Sequence, residues 1–357
     1  MSSDNEKEEH AHVAPTGADG TPLNLYERRL LIASHETGFT ALFTNRHVFS
    51  IAVFASLGGL IYGFNQGMFG QILNMASFSR TVNPNSISNP TSRGLLTSIL
   101  ELGAWVGSLA NGYLADKLGR KLSVVLAVVI FIIGVIVQAT AHNANQILGG
   151  RFVTGLGVGS LSMIVPLYNA ELAPAEVRGA LVALQQLAIT FGIMIAYFIG
   201  YGTNFIGGAG NPNQSNAAWL IPVCIQLIPA LILGTGFLTI LPQSPRYLVQ
   251  INKEDEALEV LSKLRRVPKT NEIVVLEFLE IKAQHMFEIE TDREMFPHLM
   301  DGSFSSSFKL RLAKYKSLFV DKSLRPRTFI GIFIMVFQQW TGMYKQPLPM
   351  LLLSVWF

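Results

Sequence analysis

This sequence contains few charged residues and little cysteine. Only 14% of its 357 residues are charged, against about 25% in an ordinary soluble domain. The stretch from residue 122 to residue 241 contains only four of them: Arg151, Glu171, Glu176 and Arg178. A soluble protein faces water everywhere and need not separate its charges, whereas a charge in mid-bilayer costs several kcal/mol. The composition therefore predicts a polytopic membrane protein.

The single cysteine, Cys224, excludes an intramolecular disulfide framework. No cluster of His, Cys or Asp indicates an enzyme or a metal site, and His142 lies in a predicted loop, so no catalytic residue, cofactor or metal is predicted. The net charge of +3 is small and argues neither for nor against nucleic acid, and none is predicted as a partner. Residues 1–47 are polar without an apolar signal-peptide core, which indicates an uncleaved soluble tail.

Six stretches are long enough for a spanning helix, which needs about 20 mostly apolar residues. They cover about 48–69, 94–114, 122–141, 148–168, 180–202 and 218–241, and a seventh begins near Thr328. Lipid cannot satisfy free backbone amides, and nothing alternates as barrel strands do, so the spans are predicted to be helical.

Basic residues predict the orientation. Three of them lie in DKLGRK after the second span, while the connections after the third and fifth spans carry none. The tail, the 2–3 and 4–5 loops and residues 242–327 are therefore expected in the cytoplasm. Arg80 and Arg93 in the 1–2 loop run against this bias, whereas the sequon at Asn213 falls on the predicted outer side.

The segment 242–327 is richly charged, with 15 Lys or Arg and 13 Asp or Glu. Apolar residues repeat with helical spacing in NKEDEALEVLSKLRRV and again over about 272–288, which predicts amphipathic helices along the inner membrane face. The predicted domains are a tail (1–47), a six-helix bundle (48–241), a helical linker (242–327) and a partial or aberrant seventh span (328–357).

Two motifs lie at the ends of spans. GYLADKLGRK (112–121) turns sharply between the second and third spans, and Asp116 can lie near a helix N-terminus, where a carboxylate is favoured. The same stretch is also consistent with an ordinary positive-inside loop.

GRFVTGLGVGS (150–160) has three closely spaced glycines. A dinucleotide loop would need a preceding strand and a following acidic residue, so a face where helices touch is favoured instead.

Arg151 stands near the start of the fourth span, in a long region almost without charge. An ionisable residue inside a span is a functional candidate by default. The alternative is that its side chain reaches out to the membrane interface.

Two further motifs are PLYNAELAPAEVRG (166–179), between the fourth and fifth spans, and LPQSPRYL (241–248), where Pro242 and Pro245 end the sixth. In order and spacing, these four motifs resemble the sugar porter family of the major facilitator superfamily, and fungal hexose and polyol permeases most of all. GGLIYGFNQG in the first span and FQQWTG (337–342) fit as well, so the resemblance covers about residues 48–343.

The resemblance implies an all-α membrane protein with the N-terminal six-helix bundle of a 12-helix fold, followed by cytoplasmic linker helices and a partial seventh span. Such carriers move substrate by rocking one half against the other. By resemblance, Gln186, Gln338 and Gln339 would contact sugar hydroxyls and Ile189 would line the pocket. An amide both donates and accepts hydrogen bonds, as a hydroxyl does, although a lone glutamine can also simply tie two helices together.

The resemblance implies that the position of Asn65 holds an aspartate in proton-coupled members of the family and an asparagine in facilitative members. An amide cannot exchange a proton, so Asn65 favours facilitated transport and a place in the substrate site. Glu101 is the one acidic residue within a predicted span, and we expect it to pair with Arg151. That pair would be either structural or a displaced proton site, with protons as a partner only if Glu101 titrates.

The resemblance also implies an inner gate, in which charges hold the outward-open state. Gln243 stands where this family usually has glutamate, which removes one acidic partner. The predicted members of the gate are Asp116, Arg120, Glu171, Arg178 and Arg246.

After Gly342 the resemblance ends. Tyr344 takes the position of an expected asparagine, and Leu348 and Pro349 take those of two tyrosines. We therefore expect an incomplete form that would not perform alternating access alone. The predicted function is a carrier for a hexose or related polyol in the plasma membrane, with its N-terminus in the cytoplasm. The alternative is a membrane sugar sensor or regulatory fragment that does not transport.

Overall fold

The computed structural model describes residues 46–82, 89–173, 177–297, 304–322 and 324–340, and in these ranges all regular structure is helical. We number the helices in chain order. The first eight are α1 (Arg46–Ala55), α2 (Leu57–Ile72), α3 (Ala76–Val82), α4 (Pro90–Ala139), α5 (Ala144–Leu172), α6 (Arg178–Asn204), α7 (Ala217–Ile225) and α8 (Leu227–Thr239). The last five are α9 (Pro245–Gln250), α10 (Glu254–Arg265), α11 (Glu272–Met295), α12 (Phe304–Val320) and α13 (Arg325–Trp340).

Five helical segments within the described ranges are long and apolar enough to cross a membrane: Val48–Ile72, Pro90–Ala139, Ala144–Leu172, Arg178–Asn204 and Ala217–Thr239. The first joins α1 to α2 at Ser56, whose hydroxyl donates to the Ala52 carbonyl at 2.7 Å. The last joins α7 to α8 at Gln226. Pro229 lies just after that junction and has no N–H to donate to the preceding turn, which accounts for the break.

Helix α4 contains two predicted spans, because the chain reverses at Gly119 with φ of 82° and ψ of 163°. This backbone region is open almost only to glycine. In a straight helix Ala104 and Phe131 would be about 40 Å apart at 1.5 Å per residue, yet both pack against residues 155–159 of α5. The described ranges therefore contain six spans, and the turn predicted from GYLADKLGRK is confirmed.

The glycines of α5 face both arms of α4. Gly155 and Gly159 pack against the first arm at Leu100 and Ala104, whereas Gly157 faces the second arm at Ala127 and Phe131. A Cβ on Gly157 would lie only 2.8 Å from the Ala127 carbonyl oxygen, closer than real side-chain carbons approach. The prediction that these glycines mark contacting helix faces is confirmed.

Helices α2 and α6 form a second close pair. Gly59, Gly63 and Gly67 of α2 lie against Gln185, Ile189 and Ile193 of α6, with both series rising by four residues. This matched rise means that the two helices run parallel. A Cβ on Gly63 would collide with the Ile189 carbonyl oxygen, and one on Gly192 with the carbonyl oxygen of Leu60, so the backbones lie in direct contact.

Arg80 and Gln214 connect α3 to the loop between α6 and α7. The Arg80 guanidinium donates to the carbonyl oxygens of Pro212 at 2.7 Å and of Gln214 at 2.6 Å. The Ser77 hydroxyl donates to the buried Gln214 side-chain oxygen at 3.1 Å. Arg80, one of the two arginines that oppose the positive-inside bias, is thus part of the loop's own structure.

Helices α9, α10 and α11 form a small core of their own from Leu248, Val249, Ala257, Leu261, Val274 and Phe278. Tyr247 of α9 packs against Gly119, and its hydroxyl donates to the Lys117 carbonyl at 3.3 Å. Arg265 donates to Glu277 and reaches the Leu172 carbonyl at the end of α5 at 3.5 Å. The linker therefore docks on the bundle at both the α4 turn and the α5 end.

The sequence predicts the amphipathic helices corresponding to α10 and α11 but misses α9 and α12. Helix α13 begins three residues before Thr328. Residues 1–45 and 341–357 lie outside the described residues, so the tail, Tyr344, Leu348 and Pro349 stay as sequence predictions. The full seventh span likewise stays a prediction.

We predict that Gly192→Ala lowers thermal stability, because its methyl group would force α6 away from the Leu60 carbonyl. Overpacking of this kind costs about 1–3 kcal/mol. Gly202→Ala is the matched control in the same helix, since a Cβ there meets nothing within 4 Å. The measurement is the temperature at which half of the detergent-solubilised protein stays monodisperse after heating, and equal values for the two variants would contradict the contact.

Candidate functional site

Asn65 and Gln66 are neighbours in α2 but point to different environments. Asn65 is fully buried, and its Nδ2 donates to the Ile61 carbonyl at 3.1 Å. Its Oδ1 has no hydrogen-bond partner within the described part of the chain. Gln66 is half-buried at the edge of the bundle. Of the two adjacent amides, one therefore belongs to the core and the other lines an open side.

Gln66 connects α2 to the first arm of α4. Its Nε2 donates to Glu101 Oε1 and lies 3.1 Å from the Tyr62 hydroxyl one turn earlier. Glu101 is exposed on the surface of the bundle. Tyr62, Gln66 and Glu101 thus form a continuous polar group where α2 meets α4.

Gln186 and Thr190 of α6 are both exposed. Because α2 and α6 run parallel and each turns 100° per residue, they fall on the same side of the pair as Tyr62 and Gln66. Gln185 instead lies buried against Gly59, and neither polar atom of its side chain has a partner among the described residues. Ile189 is half-buried beside Gln186.

We call the open side defined by Tyr62, Gln66, Glu101, Gln186 and Thr190 the polar face. Its polar side chains lie among exposed apolar ones such as Trp105, which is one turn from Glu101 and 63% exposed. The polar face offers amides, hydroxyls and one carboxylate, all of which can bind hydroxyl groups. Gln338 and Gln339 lie in α13, but their side chains are outside the described part of the structure.

Arg151 is buried, with only 1% of its surface exposed, so its side chain does not reach out to an interface. The guanidinium carbon lies 3.5 Å from the centre of the Phe69 ring, a cation–π contact. Its Nε and Nη1 have no hydrogen-bond partner in the described ranges. Phe69 follows Asn65 by one turn, which brings Arg151 close to the Asn65 level of α2.

The predicted Glu101–Arg151 ion pair is not formed. Within the described residues, no oxygen of Glu101 lies within 4.0 Å of an Arg151 nitrogen, although the two charges attract at longer range. The physical reason is that Gln66 satisfies Glu101 directly while Phe69 covers the guanidinium. Both residues line the same part of the bundle without meeting.

A charge cluster is centred on Arg120, just after the α4 turn. Arg120 donates to both oxygens of Glu171, with Nε–Oε2 at 2.9 Å and Nη2–Oε1 at 2.7 Å. The two side chains are only 6% and 4% exposed, and Asp116 lies 3.6 Å from Arg120 Nη1. This bidentate geometry holds the α4 turn against the end of α5.

Of the five predicted gate residues, the structure brings together these three. Arg178 is exposed and forms no ion pair with any described residue. Arg246 binds Glu288 of α11. Gln243 accepts a hydrogen bond from the Lys121 backbone N–H at 3.4 Å, so the amide keeps a connection to the turn.

The family model "Sugar (and other) transporter" matches residues 51–346. This chain belongs to the sugar transporter family. A glucose transporter of the major facilitator superfamily from Aspergillus flavus is 37% identical over 256 residues, covering 71% of this chain and 48% of that protein. A high-affinity glucose transporter from Schizosaccharomyces pombe is 31% identical, covering 81% of this chain and 50% of its own length.

Solved structures of major facilitator sugar transporters share the fold. A proton:xylose symporter, XylE, bound to 6-bromo-6-deoxy-D-glucose, superposes with a TM-score of 0.62 at 28% identity, covering 72% of this chain and 56% of that one. An inward-open XylE from E. coli gives a TM-score of 0.56 at 28% identity, covering 71% and 58%. The chain spans about half the length of the curated relatives it matches. It is a multi-pass membrane protein of a transporter family rather than of an enzyme family.

Sequence reasoning missed four features of this sugar transporter family member. Tyr62, Gln66 and Thr190 join the polar face, and the available signal for them was a polar residue inside an apolar span. The fourth is the Arg246–Glu288 pair. It had no sequence signal, because it depends on how the linker folds back.

We predict that Arg120→Ala destabilises the protein by about 3–5 kcal/mol, because it leaves the Glu171 carboxylate buried without its partner. Arg178→Ala removes an exposed arginine from the same end of the bundle and should change stability little. A second control, Arg120→Ala with Glu171→Ala, should recover part of the loss. Heating of the solubilised variants measures this, and equal losses for Arg120→Ala and Arg178→Ala would contradict the cluster.

Proposed function

We propose that this chain forms the sugar-handling bundle of a carrier for a hexose or related polyol that works by alternating access. The polar face carries the proposal, since it gathers neutral amides and hydroxyls on one open side of an apolar bundle. Gln186 and Gln66 would exchange hydrogen bonds with sugar hydroxyls, and Ile189 would border the pocket. Gln338 and Gln339 remain proposed contacts from α13.

Facilitated transport is the form of the proposal that the charges favour. Asn65 occupies the core position near Arg151, and its amide takes up no proton. The Arg151 cation is then covered by Phe69 rather than neutralised by a carboxylate. Proton coupling through Glu101 is the alternative, and it would make protons a second partner.

The cluster of Asp116, Arg120 and Glu171 is proposed as the inner gate. Its hydrogen bonds join the α4 turn to the end of α5, and breaking them would free the inner side of the bundle to open. Arg178 and Arg246 would join this gate only in another conformational state of the carrier. The proposed layout has the tail (1–47) and the linker (242–327) in the cytoplasm, the bundle at 48–241 and a seventh span from 328, in the plasma membrane.

Transport itself is tested in yeast cells that lack hexose carriers. We expect cells expressing the chain together with the C-terminal half of a related glucose transporter to take up labelled D-glucose faster than cells expressing that half alone, and a protonophore to leave the initial rate unchanged. Loss of uptake with the protonophore would support coupling through Glu101. Binding of glucose without uptake would instead favour the sensor or regulatory fragment.

Two neighbouring glutamines test the polar face. Gln186→Ala should weaken D-glucose binding about two- to twelvefold, which corresponds to the loss of one hydrogen bond of about 0.5–1.5 kcal/mol. Gln185→Ala removes a buried amide next door and should leave the affinity unchanged. Tryptophan fluorescence of the purified protein, titrated with D-glucose and with L-glucose as a control, measures the affinity. A larger loss for Gln185→Ala than for Gln186→Ala would overturn the assignment.

A further inference from the structure

Helix α12 differs sharply in charge from the helix before it. Helix α11 holds seven acidic and two basic residues, whereas α12 holds four basic residues and no acidic one. Continuing to residue 327 adds three basic residues and only Asp321, so residues 304–327 carry seven positive charges against one negative. Such a concentration is complementary to a negatively charged surface.

Large side chains along one side of α12 are exposed. Leu312 is 62% exposed, Tyr315 50% and Phe319 52%. They follow one another at helical spacing. We call residues 312, 315 and 319 the apolar stripe. A stripe of this kind on a basic helix is typical of a helix that lies in a membrane interface.

The opposite side of α12 contacts α11. Lys314 donates to Asp292 of α11, and Leu310, Ala313 and Ser317 on that side are half-buried or bonded within the helix. Lys309 and Lys316 are exposed and flank the apolar stripe. The helix is therefore held to the linker by one side while it presents apolar and basic groups on the other.

The connection to α13 limits how far α12 is from the membrane. Only residues 321–324 separate Val320 from Arg325, a length that spans less than about 20 Å even when extended. The Tyr315 hydroxyl also lies next to Gly112, in the first arm of α4. A Cβ added to Gly112 would be 3.5 Å from this hydroxyl. Both neighbours place α12 at the level where the spans end, given the proposed seventh span.

We propose that α12 binds an anionic phospholipid surface. The apolar stripe lies at the boundary between headgroups and acyl chains, and Lys309 and Lys316 contact lipid phosphates. This interaction fixes the height of the linker relative to the bilayer. The inference rests on the proposed inner position of the linker and not on the sugar specificity of the polar face.

The test uses the full chain reconstituted into vesicles of phosphatidylcholine alone or of equal parts phosphatidylcholine and phosphatidylserine. A polarity-sensitive dye is attached through Phe319→Cys after Cys224→Ser has removed the natural thiol. We expect a blue-shifted emission and protection from aqueous iodide in the phosphatidylserine vesicles only, weakened by high salt. A dye at Glu290→Cys, exposed on acidic α11, is the matched control and should respond to neither lipid.

Neutralising two flanking charges sharpens the test. Lys309→Gln with Lys316→Gln should raise the population of α12 away from the lipid by about 25-fold, as expected for two basic groups at an anionic surface. Equal quenching in both vesicle types would overturn the proposal. Equal protection in both types and in detergent would also overturn it, because protein rather than lipid would then cover the stripe. Glucose binding by the labelled chain, measured alongside, separates failure of this inference from failure of the proposed function.

Discussion

Direct backbone contact between helices is the constraint on which the rest of this structure depends. In lipid, apolar side chains gain nothing by leaving one hydrocarbon environment for another, so helices are held by close packing and interhelical hydrogen bonds. Here Gly63 and Gly192 bring α2 against α6, and Gly157 brings α5 against α4. Those contacts fix the register of the helices. The register in turn decides which polar side chains are buried and which face outward.

The arginines show how the bundle treats charge at different depths. Arg151 is buried against an aromatic ring, Arg120 is buried in a bidentate contact with Glu171, and Arg246 lies partly exposed beside Glu288. Arg151 has the weakest compensation of the three, because among the described residues it contacts no carboxylate. A buried charge without a carboxylate partner is costly, so Arg151 stays a candidate for a functional role.

Much of the fold follows from the sequence, because hydrocarbon imposes length and composition on every span. The six spans, the turn at Gly119 and the glycine contacts of α5 were all predictable from apolar runs and small residues. The lateral arrangement of the helices was not predictable from the sequence. Nothing in ALQQLAITFG states that Gln185 is inside and Gln186 outside, since that depends on which helix lies next to α6. The same reason explains why the sequence favours a Glu101–Arg151 pair, whereas the structure joins Glu101 to Gln66.

The pairing of the helices has a consequence for how the protein is made. Helix α4 finds its partner in α5, the next helix to be synthesised, whereas α2 must wait for α6. In the sequence, the α4–α5 pair therefore lies between the two members of the α2–α6 pair. During biogenesis the first span enters the bilayer with its glycine face uncovered, and it stays so until the fifth span leaves the ribosome. A delay in translation between residues 72 and 178 would prolong the time for which this glycine face is uncovered. Quality-control proteases would then have longer to cleave the unfinished chain.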